Sequence, residues 1–486
     1  MSDIKNTTPQ GRLDKEPIAS ASSRYKTLSR SALWAELRAL FALGLPMGLT
    51  QLIQFSINTV DVLMIGRIGA PELGAASLGM VFFYAVYLIG VGPAMAITPM
   101  VSQALGANAE DTRDARRSVR MGLWVLGFCF PPVLLVLFSA SPLMRLLGQP
   151  EELVKLAGPY VLALAPGWPF MLGVVVLRNF LAAIDRTRAP LYIIMITTVF
   201  NAFLNWVLIY GALGAPRLEL VGAGIASSLS HMLGFFLLAA YIAHEQRAKA
   251  FNLFERFYVP DWPRLREIAR LGWPISITFA FEVMLFNAAV LIMGRIGVNE
   301  VAAYQVALNV AALAFMTPMG LSMAGATRVG LHQGAGNHAN VRLAAIATLI
   351  ICVGMILLFA IPISIAPHWV AVLYLDQSDP ANETVIRLVA GFLPIAGAFM
   401  TFDAIQVAAN QCLRGLKDVQ RPMLLTGISY WALGFPTAYW LGLHTSLGAN
   451  GVWVGLLVGL AAAAISLGSR LWRLTQIDVR LDPAST

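Results

Sequence analysis

Three carboxylates stand in stretches that are otherwise apolar. Asp61 lies in Asn58-Thr-Val-Asp61-Val-Leu-Met, Glu282 in Phe279-Ala-Phe-Glu282-Val-Met-Leu-Phe, and Asp403 in Phe399-Met-Thr-Phe-Asp403-Ala-Ile-Gln406. No Lys or Arg sits within one helical turn of any of them. An ionised carboxylate at the centre of a membrane helix costs at least about 2.5–3.5 kcal/mol, so such a group normally has a partner or a task. One reading is a protonated carboxyl that hydrogen-bonds neighbouring helices together. The other is reversible binding of a proton or a small metal cation.

Neutral oxygens could complete such a site. Asn201 and Asn205 stand one turn apart in a single apolar run, and carboxamide oxygens suit a hard cation when a carboxylate joins them. The same side chains also serve as interhelical glue, and both readings stay open. Phe281, Phe286, Tyr304, Gln305, Asn309, Phe399 and Gln406 are the residues expected to line a substrate cavity. Their alternative is ordinary core. In a wide cavity, soft Met and Phe side chains make a permissive surface for varied apolar ligands. His231 reads as a packing histidine, and Cys129, Cys352 and Cys412 as buried thiols with no paired spacing. The chain has no phosphate-cradling loop of the Gly-Lys-Ser type, no His-Glu-x-x-His and no nucleophile elbow. An enzyme is not expected, nor an ATPase subunit. Energy would come from an ion gradient.

These residues must be held by long apolar elements. Hydrophobic residues make up 58% of the chain and charged ones 12%, against about 25% charged in soluble domains. Twelve apolar runs reach spanning length: 36–65, 76–103, 118–140, 155–183, 190–212, 220–243, 265–293, 300–328, 342–365, 385–412, 422–443 and 450–473. The expected fold is an all-α integral membrane protein of twelve transmembrane helices in two pseudo-symmetric six-helix lobes. Residues 1–33 read as a disordered cytoplasmic tail, 34–243 as an N-lobe and 265–474 as a C-lobe. Residues 244–264 read as a cytoplasmic linker with an interfacial face of Phe251, Phe254, Phe257 and Tyr258, and 475–486 as a second tail. Arg and Lys concentrate on the even-numbered connections, as at Arg113, Arg116, Arg117 and Arg120, which puts both termini in the cytoplasm. The net charge of +8 follows from this scatter over short loops, so nucleic acid is not an expected partner.

The halves repeat in direct order. Leu43-Gly-Leu-Pro46 and Met64-Ile-Gly-Arg-Ile-Gly69 return as Leu271-Gly-Trp-Pro274 and Ile292-Met-Gly-Arg-Ile-Gly297, displaced by 228 residues. A looser match pairs 181–190 with 413–422. Duplicated, membrane-buried bundles are the common architecture of secondary transporters. The carboxylates are not part of the repeat: Asp61 aligns with Ala289, Glu282 with Gln54 and Asp403 with Met171. Each was placed on one half only, as a function requires and a scaffold does not.

Several motifs together resemble the multidrug and toxic compound extrusion (MATE) family in its NorM-like bacterial branch. They are Val60-Asp61, Phe281-Glu282-Val283, Gln305-Val-Ala-Leu-Asn309, Asp403-Ala-Ile-Gln-Val407, Leu413-Arg-Gly-Leu-Lys-Asp418 and Ile428-Ser-Tyr-Trp431. The resemblance covers residues 36–474. It implies a V-shaped pair of lobes, no resident cofactor, and export of small organic cations or amphipathic drugs in exchange for Na⁺ or H⁺. It implies a single chain working in the bacterial inner membrane. It also implies an N-lobe cation site of Asp61, Asn201, Asn205 and Ser227, and a C-lobe site of Glu282 and Asp403. Some relatives carry tyrosine where this chain has Phe399, so one oxygen ligand is missing. The number of N-lobe oxygens favours sodium. The alternative within the superfamily is a flippase for a lipid-linked oligosaccharide, whose pyrophosphate would need an Arg- or Lys-lined cavity. The intramembrane charges weighed here are acidic, which favours the drug reading.

Overall fold

The computed structural model describes residues 30–480, apart from residues 111, 376 and 378. The N-lobe is built from α1 (Arg30–Gly66), α2 (Ala70–Ala107), α3 (Thr112–Phe138), the short α4 (Ala140–Leu146), α5 (Glu151–Leu164), α6 (Gly167–Ala183), α7 (Arg188–Tyr210) and α8 (Glu219–His244). α5 and α6 form one crossing, bent by 46° where Pro166 interrupts it. The C-lobe holds α10 (Trp262–Ile296), α11 (Val298–Gly334), α12 (His338–Ile365), the short α13 (Pro367–Tyr374), α14 (Glu383–Gly415) and α17 (Ala449–Arg480). Its remaining crossing runs through α15 (Gln420–Gly427), a π-helical stretch at Ile428–Gly434 and α16 (Phe435–His444). With that segment, the twelve expected crossings are all present. α1 begins inside the stretch read as a leading tail, and α17 passes the expected end of the C-lobe. The rest of both expected tails, 1–29 and 481–486, lies outside the described residues.

The sequence repeat is also a structural repeat. Pro46 and Pro274 both sit inside their helices, and Thr50 and Thr278 donate to the Pro46 and Pro274 carbonyls at 2.8 Å each. Such back-bonding by a hydroxyl bends a helix in the same place in each lobe. The core around Trp168 and Phe180 of the first lobe continues across the seam to Ile268, Ile275 and Met323 of the second, which has a further core of its own around Trp453, Tyr304 and Phe392.

The linker behaves as a strap on the N-lobe. It contains α9 (Gln246–Lys249), and Phe251 is buried edge-on against Phe180, with ring centroids 5.1 Å apart. Phe251 is therefore core, while Phe254, Phe257 and Tyr258 keep the exposed face expected of them. Arg116 pairs with Glu255 at 3.1 Å, Arg120 donates to the Arg256 carbonyl at 2.9 Å, and Trp124 to the Phe257 carbonyl at 2.9 Å. Asp261 caps α10 by accepting from the Arg264 amide at 3.2 Å. Its hydrogen bond from Arg117 holds that carboxyl below the usual range.

The two lobes meet along a seam of glycines. Gly92 of α2 lies against Gly272 of α10, and Gly320 of α11 against Gly48 of α1. Nearer the end at which α2 and α11 finish, Gly106 abuts the Leu331 carbonyl and Gly334 the Gln103 carbonyl. A Cβ at Gly92, Gly272, Gly320, Gly106 or Gly334 would overlap the opposing backbone, and one at Gly48 would press on Thr317. The 228-residue offset maps Gly92 onto Gly320, Gly106 onto Gly334 and Gln103 onto Leu331, so the seam has the symmetry of the repeat. Polar ties reinforce it. Gly92 donates to Ser276 Oγ at 3.2 Å, and Gln103 to the Gly415 carbonyl at 2.8 Å. Arg328 of α11 donates through Nε to Glu36 Oε1 of α1 at 2.8 Å, with His332 beside the same carboxylate at 3.8 Å. Beyond the seam the lobes separate, leaving a cavity between α2 and α10 at the opposite end.

Glu36 is nearly buried, so removing it strands the Arg328 guanidinium. Glu36→Ala is expected to destabilise the closed seam by up to about 3 kcal/mol. Glu36→Leu paired with Arg328→Met should recover most of that loss. Thermal unfolding of the purified variants in detergent measures both.

Candidate cation and substrate sites

The N-lobe gathers its predicted oxygens at one point. Asp61 projects from α1 toward α7 and α8. Its Oδ1 accepts from Asn205 Nδ2 at 2.6 Å, and Ser227 Oγ lies 3.5 Å from its Oδ2. Asn205 Nδ2 also lies 3.2 Å from Asn201 Oδ1, an i,i+4 pair on one face of α7. Both asparagines are buried, and Asn205 Oδ1 has no partner. Asp61, Asn201 and Ser227 line a pocket of about 300 Å³, together with Asn58, Tyr84 and His231. The pocket thus presents two carboxylate oxygens, carboxamide oxygens and a hydroxyl from three helices. A dehydrated cation needs such a set.

The C-lobe arrangement is less closed. Asp403, Gln406, Asn410 and Arg414 follow one face of α14 and are all buried. Asp403 Oδ1, both amide atoms of Gln406 and the Tyr430 hydroxyl have no hydrogen-bond partner. Glu282 projects from α10 into a small pocket shared with Asn410, Gln411 and Arg414. The Arg414 guanidinium lies over the Phe279 ring, 4.9 Å from its centroid. Phe399 is fully packed, edge-on to Trp453 at 5.5 Å and to Phe286 at 5.9 Å, and supplies no oxygen.

Between the lobes lies a cavity of about 1010 Å³. Its wall is mostly apolar and aromatic: Met80, Tyr84, Tyr87, Leu88, Phe279, Val283, Met284 and Trp431, with Gln51, Gln54, Asn287 and Arg178 as polar points. None of the seven residues expected to line a substrate cavity does so. The reason is helical phase. On α10, Phe279, Val283, Met284 and Asn287 share the cavity face, while Glu282 and Phe286 are rotated toward the C-lobe. Phe281 packs over Gly427. Tyr304, Phe399 and Gln406 are buried within the lobe, and Gln305 and Asn309 lie on an exposed part of α11 away from this cavity.

The expectation of purely acidic intramembrane charge is corrected as well. Arg178, in Val-Val-Val-Leu-Arg-Asn-Phe-Leu of α6, is the one charged residue in the cavity wall among the described residues. An argument built on carboxylates passes over it, although a basic residue inside an apolar run carries the same signal. Gln51 and Gln54 escape for a different reason: a glutamine among apolar residues looks like glue until its neighbours are known.

The comparisons with known proteins follow the same halves. The MatE family profile matches residues 46–207 and again 274–440. A "Probable multidrug resistance protein NorM" of Rhizobium meliloti (strain 1021) is 42% identical over 444 residues, covering 90% of this chain and 93% of that protein. A second protein of that name, from Mesorhizobium japonicum, is 38% identical over 449 residues, 92% of this chain and 96% of its own length. Among solved structures, a MATE transporter crystallised in complex with MaL6 aligns with a TM-score of 0.83, over 92% of this chain and 97% of that one, at 20% identity. The eukaryotic MATE transporter AtDTX14 aligns with a TM-score of 0.79 over 92% and 99%, also at 20% identity. One profile fits each half, as the glycine seam and paired bends require, and relatives share the full length: the chain is a multi-pass membrane protein of the MatE family.

Proposed function

We propose that this protein is a multidrug efflux antiporter that expels amphipathic organic compounds, organic cations among them, in exchange for Na⁺ taken up at the N-lobe. One observation carries the reading. The pocket that holds Asp61 and the cavity between the lobes share the side chains of Gln51, Gln54, Met80, Tyr84, Tyr87 and Val175. A cation at Asp61 and a compound in the cavity therefore press on the same wall. Binding of one changes the free energy of binding the other, and linkage makes that effect reciprocal. The names of the relatives, multidrug resistance proteins, point to the same class of work.

The wall chemistry supports varied substrates. Tyr, Trp, Phe and Met side chains offer area without a fixed pattern of hydrogen bonds. The basic loops support a seam on the cytoplasmic side of a bacterial inner membrane, and on that reading the cavity described here opens outward. Closing the outer mouth and parting the seam would present it inward, in the manner of secondary transporters whose two repeats rock about a central site. Such a motion would part the apolar contacts that Ile268, Ile275 and Met323 make with the N-lobe core. The protein is proposed to act as a single chain without a resident cofactor. The lipid-linked oligosaccharide alternative is less well supported. A pyrophosphate carries more than one negative charge, and this cavity has one arginine.

Replacing Asp61 with Asn, or Glu282 with Gln, keeps shape and removes charge. Efflux of a fluorescent substrate from proteoliposomes is expected to fall by more than about tenfold in each variant, the scale of typical coupling free energies. Unfolding temperatures should stay near wild type. Full transport by the double variant would overturn the assignment.

The ion is tested by imposed gradients. A Na⁺ gradient should drive efflux and a pH gradient alone should not, since the N-lobe offers several hard oxygens. Phe399→Tyr run beside wild type reports on the C-lobe. Transport driven by pH and indifferent to Na⁺ would reject sodium, as would Na⁺ dependence found only in Phe399→Tyr.

A further inference from the structure

We infer that Arg178 is a docking point for a substrate carboxylate, so that this transporter favours compounds bearing both a positive centre and a carboxylate over plain organic cations. This deepens the proposed function and rests on it.

Arg178 sits at the floor of the central cavity. The next residue, Asn179, donates to the Ala94 carbonyl of α2 at 3.0 Å, beside the Gly92 contact that begins the seam. The residue is 7% exposed, and it lines both the central cavity and a small neighbouring pocket. It does not run along α6 toward the end of the helix, as a long cation does when it only needs water. It turns sideways. Nη1 donates to Gln51 Oε1 at 2.9 Å and to Gln54 Oε1 at 3.1 Å, while Nε is buried with no partner.

Two glutamine oxygens fix the position of a guanidinium and leave its charge whole. No carboxylate pairs with Arg178 among the described residues, whereas the part-buried Arg328 is neutralised by Glu36. A guanidinium keeps its charge under all ordinary conditions. Between apolar walls that charge repels a lipophilic cation and attracts an anion. Nη1 is shared by two glutamines and Nε is buried, so a carboxylate in the cavity would meet the guanidinium through its remaining nitrogen, Nη2, in a charge-assisted hydrogen bond.

The rest of the cavity sets what the carboxylate is attached to. Gln54 stands in the wall of both the cavity and the Asp61 pocket. A compound whose carboxylate meets Arg178 can direct a positive centre across Gln54 toward Asp61. Its aromatic body then lies against Tyr84, Tyr87 and Trp431. Competition with the coupling ion is kept, because the positive end still contends with that ion for Asp61. The pseudo-symmetric position of Gln54 is Glu282, so the lobe lacking the acid at this site is the one that carries the unpaired arginine.

The test uses one xanthylium dye in two forms, the free carboxylate and its methyl ester, with full-length protein. Binding is read by fluorescence polarisation in detergent and efflux in proteoliposomes. Wild type should bind the free acid about tenfold more tightly than the ester, the scale of one charge-assisted hydrogen-bonded pair. Arg178→Gln should bring the two affinities to near parity, and Arg178→Lys should retain part of the preference. Gln54→Glu supplies the missing acid partner without removing the arginine, and it should also abolish the preference. It decides the matter if Arg178→Gln fails to fold. Arg178 as a packing residue only predicts equal losses for acid and ester in Arg178→Gln and an unchanged preference in Gln54→Glu; either result overturns the inference. Wild type that binds and moves the ester at least as well as the acid overturns it too, and leaves the transport reading standing. Wild type that moves neither dye overturns both.

Discussion

Backbone-to-backbone approach across the glycine seam sets the geometry of the rest of the molecule. Gly92 on Gly272 and Gly320 on Gly48 bring four long helices together with no side chain between them. The contact runs along one half of these helices, from Gly92 to Gly106 on α2, so the lobes splay beyond it, and the cavity is the space that the splay leaves. Its floor is therefore the seam itself, and Arg178 is at the floor because α6 packs beside α2 just where α2 meets α10. Leu321 over Gly44 and Ser276 over Gly92 also cross this contact, so parting the lobes would uncover apolar residues of a core that spans it. The Glu36–Arg328 pair and the Gln103 bond act as latches on the same contact.

Inside each lobe, polar groups are treated differently according to what they serve. Thr50 and Thr278 are satisfied within their own helices and shape the bend. Asp61 is partly satisfied, with amide and hydroxyl neighbours that could rearrange around an ion. Asp403, Gln406 and Tyr430 are buried with unused atoms, a costly arrangement that a purely structural core avoids. Unsatisfied buried atoms gather around Asp403, Gln406 and Tyr430, with others at Arg120, Gln333 and Arg342, while Leu, Val, Phe and Trp fill much of the interior.

The crossings, the repeat and the N-lobe cluster were legible in the sequence because each depends on local or periodic information. Apolar length reports a span, an offset of 228 reports a duplication, and Asn201 and Asn205 sit one turn apart on any helix. The choice of Asp61 and Ser227 as their companions came from the family resemblance, not from spacing. The cavity lining was not legible. Which of Phe279, Phe281 and Phe286 faces the gap depends on how α10 is rotated against α2, and a helix that is apolar all round does not reveal its phase. Tyr304 and Gln406 belong to the C-lobe interior for the same reason. Arg178 was readable in principle. A single arginine in an apolar run is as informative as a single aspartate once cations are weighed with anions. Phe251 was misjudged because an interfacial aromatic and a core aromatic look alike until a partner such as Phe180 is in place.

The π-helical stretch at Ile428–Gly434 gives the cavity wall an unusual evolutionary freedom. A π-turn holds one more residue than an α-turn, and it is the trace that a single-residue insertion leaves in a helix that still spans the same distance. Here it contains Tyr430, turned into the C-lobe, and its neighbour Trp431, turned into the cavity. Gain or loss of one codon would exchange which neighbour faces each side, while the opposing backbone contact of Gly434 with Gly459 could still hold the crossing in place. Descendants of this gene can thus alter the surface offered to a ligand in a single step, by re-registering one wall instead of redesigning it residue by residue.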